Sequence, residues 1–132
     1  MGIIQMYLIA LVSFIIVDGI WLGFIAKSLY KKELGHLLSS NPNWIAAIIF
    51  YLIFLVGLIY FVINPGIEKE SIKTILISGA LFGLLTYATY DLTNLATLKN
   101  WPLKITVIDL IWGTSLSTIV STMTYYIYSM IK

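Results

Sequence analysis

Residues 44–63 read WIAAIIFYLIFLVGLIYFVI, a run of twenty residues without a charge. About 20 apolar residues in a helix are needed to cross the hydrocarbon core of a bilayer, which is roughly 30 Å thick. Backbone N–H and C=O groups find no partner in lipid, so an isolated span of this kind must be helical. The stretch therefore predicts a membrane-spanning helix and, with it, the fold class of the chain.

The composition of the whole chain agrees with a membrane protein. Hydrophobic residues make up 60% of the 132 residues, charged residues make up 11%, and the mean hydropathy is +0.96. A soluble domain of this length cannot bury so much apolar surface, because its surface is large relative to its volume. The absence of cysteine excludes disulfides and Cys-based zinc sites, and the absence of arginine disfavours bidentate phosphate binding. No basic stripe indicates nucleic acid as a partner.

Four hydrophobic segments are long enough to span a membrane, at about residues 3–26, 43–63, 72–95 and 104–129. They predict an all-α membrane protein, with four transmembrane helices in an antiparallel bundle that forms one domain over residues 1–132. The first segment has no basic residue before it, so it is expected to be a span and not a cleaved signal peptide. Asn41-Pro42 is expected to begin the second helix and Asn64-Pro65-Gly66 to end it in a tight turn. This second helix carries no charge and is expected to face lipid most.

The distribution of lysines predicts the orientation. The connections after the first and third helices hold five lysines, and the opposite side of the membrane holds three. Cytoplasmic loops carry the excess of positive charge, so we expect both termini to be extracytoplasmic, in a bacterial inner membrane. The lysines of the richer side are Lys27, Lys31, Lys32, Lys99 and Lys104, and those of the other side are Lys69, Lys73 and Lys132.

Three aspartates lie inside the hydrophobic segments at similar depths. At 1.5 Å per residue, Asp18, Asp91 and Asp109 are about 13, 12 and 8 Å from the lysines that flank them. Asp91 and Asp109 are also each nine residues from Asn100, so they would be level in a helical hairpin that turns there. A lone carboxylate in hydrocarbon costs roughly 2.5 kcal/mol or more, and no basic residue inside the spans neutralises these three. The sequence therefore predicts that they meet in one polar site.

Aromatic and polar neighbours extend this predicted site. Trp21 and Trp112 each follow an aspartate by three residues, one turn along the same face, where an indole N–H can donate to that aspartate. A set of Asp, Asn and Tyr oxygens suits Mg²⁺ or Ca²⁺ better than zinc, with the three aspartates as the metal ligands. The predicted ligand-binding residues are Asp18, Trp21, Tyr87, Tyr90, Asp91, Asn94, Asp109 and Trp112.

Two simpler interpretations stand beside the functional one. The aspartates can be protonated and hydrogen-bonded to Tyr, Thr and Trp, so that they only hold the bundle together. His36, the only histidine, lies on a lysine-rich connection and is either a solvated loop residue or a functional one, as a metal ligand or proton relay. The pairs Gly19/Gly23 and Gly79/Gly83, with Gly113 and Ser117 on helix four, are typical of close helix packing and are expected to act within the chain.

Three stretches resemble a known family. They are DGIWLG at residues 18–23, YDLTNLATLKNWPL at 90–103 and VIDLIWGT at 107–114. The chain is similar over its whole length to the small bacterial membrane proteins grouped as domain-of-unknown-function family 2177. The resemblance implies a four-helix bacterial inner-membrane protein, and it brings neither an established activity nor catalytic residues.

Three classes of function fit these patterns. The favoured one is ligand or cation binding, or proton-coupled transport, at the acidic site; because four helices form a thin wall, transport would require at least a homodimer. The second is a metal-dependent enzyme acting on lipid. The third is an accessory subunit of a larger membrane complex. Membrane lipids are expected partners in each case.

Overall fold

A computed structural model describes residues 2–132, and the regular structure it contains is helical throughout that range. Four helical stretches are long and apolar enough to cross a membrane, which confirms the predicted fold class. We call them spans one to four: Gly2–Ile25, Trp44–Glu68, Ile72–Thr97 and Leu103–Ile131. In chain order the elements are α1 (Gly2–Ile20), a π-helical turn (Trp21–Ile25), α2 (Lys27–Leu34), α3 (Trp44–Leu58), a second π-helical turn (Ile59–Ile63), α4 (Asn64–Glu68), α5 (Ile72–Thr97) and α6 (Leu103–Ile131).

The ends of span two differ from the prediction. The cap is Asn43, whose side-chain oxygen accepts from the backbone N–H of Ala46 at 3.1 Å, and not Asn41. The expected end at Asn64-Pro65-Gly66 is also wrong, because the chain stays helical through α4. Pro65, in the first turn of α4, closely follows the π-helical turn Ile59–Ile63, so the widened turn precedes the residue that lacks an N–H. The reversal comes later, at Glu70, whose φ of 50° is left-handed.

Helix α2 is an element that the hydropathy pattern did not predict. It follows span one directly and precedes the connection to span two. Leu34 of α2 packs with Trp101 and Ile105 in a small buried cluster, so this helix is held against the start of span four. We call the end of the bundle that carries α2 and the connection between spans three and four the lysine-bearing end.

Spans three and four make the closest helix contact. A Cβ atom added to Gly83 would overlap the carbonyl oxygen of Gly113, and one added to Gly113 would overlap the Tyr87 ring. The expected packing role is therefore confirmed on these spans. It is wrong for Gly19 and Gly23 of span one, because an added Cβ at either would meet nothing within 4 Å.

The main apolar core lies in the half of the bundle away from the lysine-bearing end. Span two supplies much of it, so the expectation that span two faces lipid most is wrong: a larger share of it is buried than of spans one and three. The core residues include Ala10, Phe14, Leu55, Leu58, Val62, Ile63, Ile75, Leu116 and Val120.

Candidate functional site

A partly open cavity of about 460 Å³ lies in the half of the bundle nearer the lysine-bearing end. All four spans and α2 contribute to its wall. The volume falls within the roughly 300–1,000 Å³ of pockets that hold small molecules. The lining residues are Asp18, Trp21, Leu22, Tyr30, Leu34, Ala47, Phe50, Tyr51, Thr86, Tyr87, Tyr90, Asp109 and Trp112.

Six of the eight predicted ligand-binding residues line this cavity, and Asp91 and Asn94 do not. Asp91 is completely buried, with 0% of its surface exposed. Asn94 is half-buried on span three, one turn from Tyr90. Depth along the helix placed both residues at the right level, but only the direction of each side chain decides which reaches the cavity.

Asp18 is buried, with 7% of its surface exposed, and projects from span one. The indole N–H of Trp112 donates to its Oδ1 at 3.2 Å, and Tyr51 lines the same cavity wall. The predicted bond from Trp112 to Asp109, one turn earlier on the same helix, is therefore wrong. Trp112 of span four instead donates to Asp18 of span one.

Asp109 is the second acid in the cavity wall and is as buried as Asp18. The Tyr30 hydroxyl donates to its Oδ1 at 2.5 Å, and Trp21 Nε1 donates to that hydroxyl at 3.1 Å. Burial raises the pKa of the Tyr30 phenol, and the bond to Asp109 raises it further, so Tyr30 is a neutral donor at physiological pH. The predicted hydrogen bond from Trp21 to Asp18 is also wrong, because the Trp21 indole donates to Tyr30 instead.

The stacking of Trp21 on Trp112 explains this exchange of partners. The ring centroids are 4.4 Å apart and the ring planes are 10° from parallel. A spacing of three residues puts two side chains on one helix face, but it does not aim the polar edge of an indole. Once the two indoles stack between spans one and four, their N–H groups point to partners outside their own helical turn.

Asp91 and Asp109 form a pair of carboxyl groups across spans three and four. Neither carboxyl oxygen of Asp91 has a hydrogen-bond partner within residues 2–132, although the Asp109 carboxyl is a close neighbour. Two ionised carboxylates only accept hydrogen bonds, so this contact is a hydrogen bond only when one of the two carries a proton. The proximity of the two carboxyl groups agrees with the prediction that Asp91 and Asp109 lie at the same level in the hairpin.

A buried hydrogen-bonded group fixes the position of this pair. The indole N–H of Trp101 donates to the Thr106 hydroxyl at 3.0 Å, and that hydroxyl approaches the backbone carbonyl oxygen of Asp91 at 3.5 Å. Trp101 is itself buried. The turn between spans three and four is therefore tied to the backbone at Asp91.

The cavity wall is acidic without a built-in cation. In the described part of the chain, no lysine or histidine lines it, and His36 is exposed on the connection after α2. No group of three His, Asp or Glu side chains among residues 2–132 is arranged to hold a metal ion. Asp18, Asp91 and Asp109 thus do not form the three-carboxylate cluster that the metal interpretation requires.

Sequence reasoning missed several residues of the wall. Tyr30 was overlooked because it lies outside the hydrophobic segments, on the short helix α2. Tyr51 and Phe50 were overlooked because span two was expected to face lipid. A signal for Tyr51 was present, since it carries one of the few polar atoms in that span. Leu22, Leu34, Ala47 and Thr86 complete the unpredicted part of the wall.

Fold and site together define a four-span helical membrane protein with an acidic, aromatic-lined cavity. The chain belongs to the family described as "Predicted membrane protein (DUF2177)", whose model matches residues 3–126. The resemblance drawn from the sequence is thereby confirmed over nearly the whole chain. Neither a curated protein nor a solved structure matches this chain.

Proposed function

We propose that this membrane protein binds a cation in the cavity between Asp18 and Asp109. The observation that supports the proposal is the charge of the wall: two carboxyl groups line one space, and none of the other lining residues is basic. A carboxylate in a medium of low polarity attracts a cation far more strongly than it would in water. The two carboxyl groups beside the cavity would thus bind a cation that enters from outside the chain.

The hydrogen bonds of the two acids also suit the purely structural alternative. Asp18 accepts from Trp112 and Asp109 accepts from Tyr30, so both already have partners that hold the helices together. A carboxylate has room for about four hydrogen bonds, however, and both acids border empty volume. We therefore favour binding, and the experiment below separates it from a scaffold.

Proton-coupled transport is the extension of the same proposal. If Asp109 is protonated before the cation arrives, binding of the cation would displace that proton and so couple the two movements. Four helices make a thin wall around a pathway, so transport would also involve at least a homodimer. Chemical cross-linking in native membranes tests the dimer, and a monomeric pattern there would leave binding without transport.

We propose a bacterial inner-membrane location with both termini extracytoplasmic. The support is the lysine excess, five against three, on the connections after spans one and three. Fusions of each terminus to a reporter that is active on only one side of the membrane test it. Activity of a cytoplasm-specific reporter at either terminus would reverse the orientation.

The binding proposal is tested by neutralising the two acids together. The double variant Asp18→Asn/Asp109→Asn keeps side-chain size and hydrogen bonding while it removes the charge. The matched control is Glu68→Gln/Glu70→Gln, which removes the same charge from exposed positions. Titration calorimetry in detergent with K⁺, Mg²⁺, Ca²⁺ and tetramethylammonium chlorides measures the affinity of each protein.

We expect at least one of these cations to bind the wild type and the glutamate control equally. We expect the double variant to bind that cation about 10- to 100-fold more weakly, because two buried attractions are lost. A folded double variant that binds as tightly as the wild type would reject the site. Absence of binding by the wild type to every cation tested would reject cation binding and favour the structural alternative.

A further inference from the structure

We infer that the cation is an organic ammonium ion with an apolar body. This inference rests on the proposed function, which requires only a positive charge, and it adds the chemical class of the ligand. Three features of the cavity lead to it: its aromatic wall, its shortage of metal-binding oxygens, and the exposure of part of its wall toward the bilayer.

The wall is dominated by aromatic side chains. Seven of the thirteen lining residues are aromatic: Trp21, Tyr30, Phe50, Tyr51, Tyr87, Tyr90 and Trp112. The face of an aromatic ring carries partial negative charge and attracts cations, and groups of such rings recognise quaternary ammonium ions. With Asp18 and Asp109 in the same wall, the cavity offers both charge and polarisable surface to one ligand.

The same wall is poorly suited to a metal ion. Mg²⁺ and Ca²⁺ take six or more oxygen ligands, and no cluster of three acidic or histidine side chains forms among residues 2–132. Leu22, Leu34 and Ala47 fill part of the remaining wall, so a metal that entered would not regain the water it lost. An ammonium ion with carbon substituents holds its water weakly and buries those carbons against the apolar residues.

Part of the wall reaches the outer surface of the bundle. Leu22, Phe50 and Tyr90 line the cavity and yet are 43%, 51% and 58% exposed, and all three lie within the four spans. The cavity therefore opens toward lipid, which is where an ammonium ion with an apolar body accumulates. A free organic cation and the ammonium headgroup of a membrane lipid share this chemistry.

The experiment separates charge from aromatic recognition with matched probes. The probe is benzyltrimethylammonium, titrated into wild-type protein in nanodiscs of phosphatidylglycerol. Benzyl alcohol presents the ring without the charge, and potassium presents a charge without the apolar body. We expect each control to bind at least about tenfold more weakly than the probe, because each makes only part of the contacts.

Phe50→Leu tests the aromatic wall without disturbing a hydrogen bond, since phenylalanine has no polar atom. We expect it to weaken the probe by about 3- to 30-fold while the apolar contact is kept. Phe24→Leu is the control, because Phe24 is 87% exposed and lies outside the cavity wall. It should leave the affinity unchanged. Circular dichroism and unfolding temperature verify that both variants are folded.

The outcomes distinguish this inference from the function on which it rests. Binding of K⁺, Mg²⁺ or Ca²⁺ without binding of benzyltrimethylammonium would overturn the ligand class and leave cation binding intact. Equal affinity of Phe50→Leu and wild type for the probe would also overturn the aromatic recognition. If no cation binds, both proposals fail. Addition of phosphatidylethanolamine to the nanodiscs identifies the source: competition with the probe assigns a lipid headgroup, and indifference assigns a free cation.

Discussion

The two halves of the bundle differ in packing density and in polarity. The half away from the lysine-bearing end is closely packed, with Leu55, Leu58 and Val62 fully buried. The other half contains a cavity, three buried aspartates and stacked indoles. A chain this small can contain an open acidic cavity because apolar packing in the opposite half stabilises the bundle. Ligand binding should therefore respond to substitutions in the cavity wall, and stability to substitutions at the close helix contacts and buried hydrogen bonds.

The largest expected effect lies at the glycine contact. Gly83→Ala places a methyl group against the backbone of Gly113, and a backbone cannot move aside as a flexible side chain can. We expect the free energy of unfolding to fall by about 3 kcal/mol, the upper part of the usual range for overpacking. Equilibrium unfolding of the purified protein in mixed micelles measures it.

Gly19→Ala is the matched control on span one. An added methyl group there meets nothing within 4 Å, and alanine favours helix over glycine by about 1 kcal/mol. We expect unchanged or slightly increased stability. A loss at Gly19 as large as that at Gly83 would mean that span one has a packing partner at this position, such as a second copy of the chain.

The next effect separates the two acids of the carboxyl pair. Asp109→Asn removes a charge from the cavity wall, so we expect cation affinity to fall about 10-fold or more. Asp91→Asn lies outside the wall and supplies an N–H donor to Asp109, so affinity should change by less than about threefold. Calorimetry on both variants decides this. The reverse order of effects would show that Asp91 is the acid that contacts the ligand.

A smaller effect is expected where the cavity meets α2. Tyr30→Phe removes the hydroxyl that donates to Asp109 and accepts from Trp21. We expect a loss of about 1–2 kcal/mol in the free energy of unfolding, since the buried Asp109 carboxyl and the half-buried Trp21 indole lose their partner. Tyr60→Phe is the control, because Tyr60 is largely exposed. Equal effects of the two substitutions would exclude a stabilising role for the Tyr30 hydrogen bonds.

The fold was predictable from hydropathy, because the bilayer imposes length and helicity on each span. The helix ends were less predictable than the spans. Asn64-Pro65-Gly66 has the composition of a turn, yet Pro65 lies in the first turn of α4. Local composition names residues that can break a helix. It does not show whether a neighbouring element keeps the helix continuous.

The depth of the site residues along the spans was predictable from the sequence, but the direction of their side chains was not. Counting residues from the lysines brought Asp91 and Asp109 to one level, and their carboxyl groups are close neighbours. The hydrogen-bond partners of Trp21 and Trp112 were wrong, because stacking between two helices is a tertiary interaction. Tyr30 was missed because α2 is amphipathic and short, and only its packing against span four brings the hydroxyl to Asp109.

The most direct test of the central claim is to locate a bound cation. Crystals grown with 4-bromobenzyltrimethylammonium would show the bromine by its anomalous scattering. The account predicts a bromine peak inside the cavity, with the ammonium group within roughly 6 Å of an aromatic ring centroid in the wall and beside Asp18 and Asp109. A peak confined to the lipid-facing surface, or an empty cavity at a saturating concentration, would contradict it.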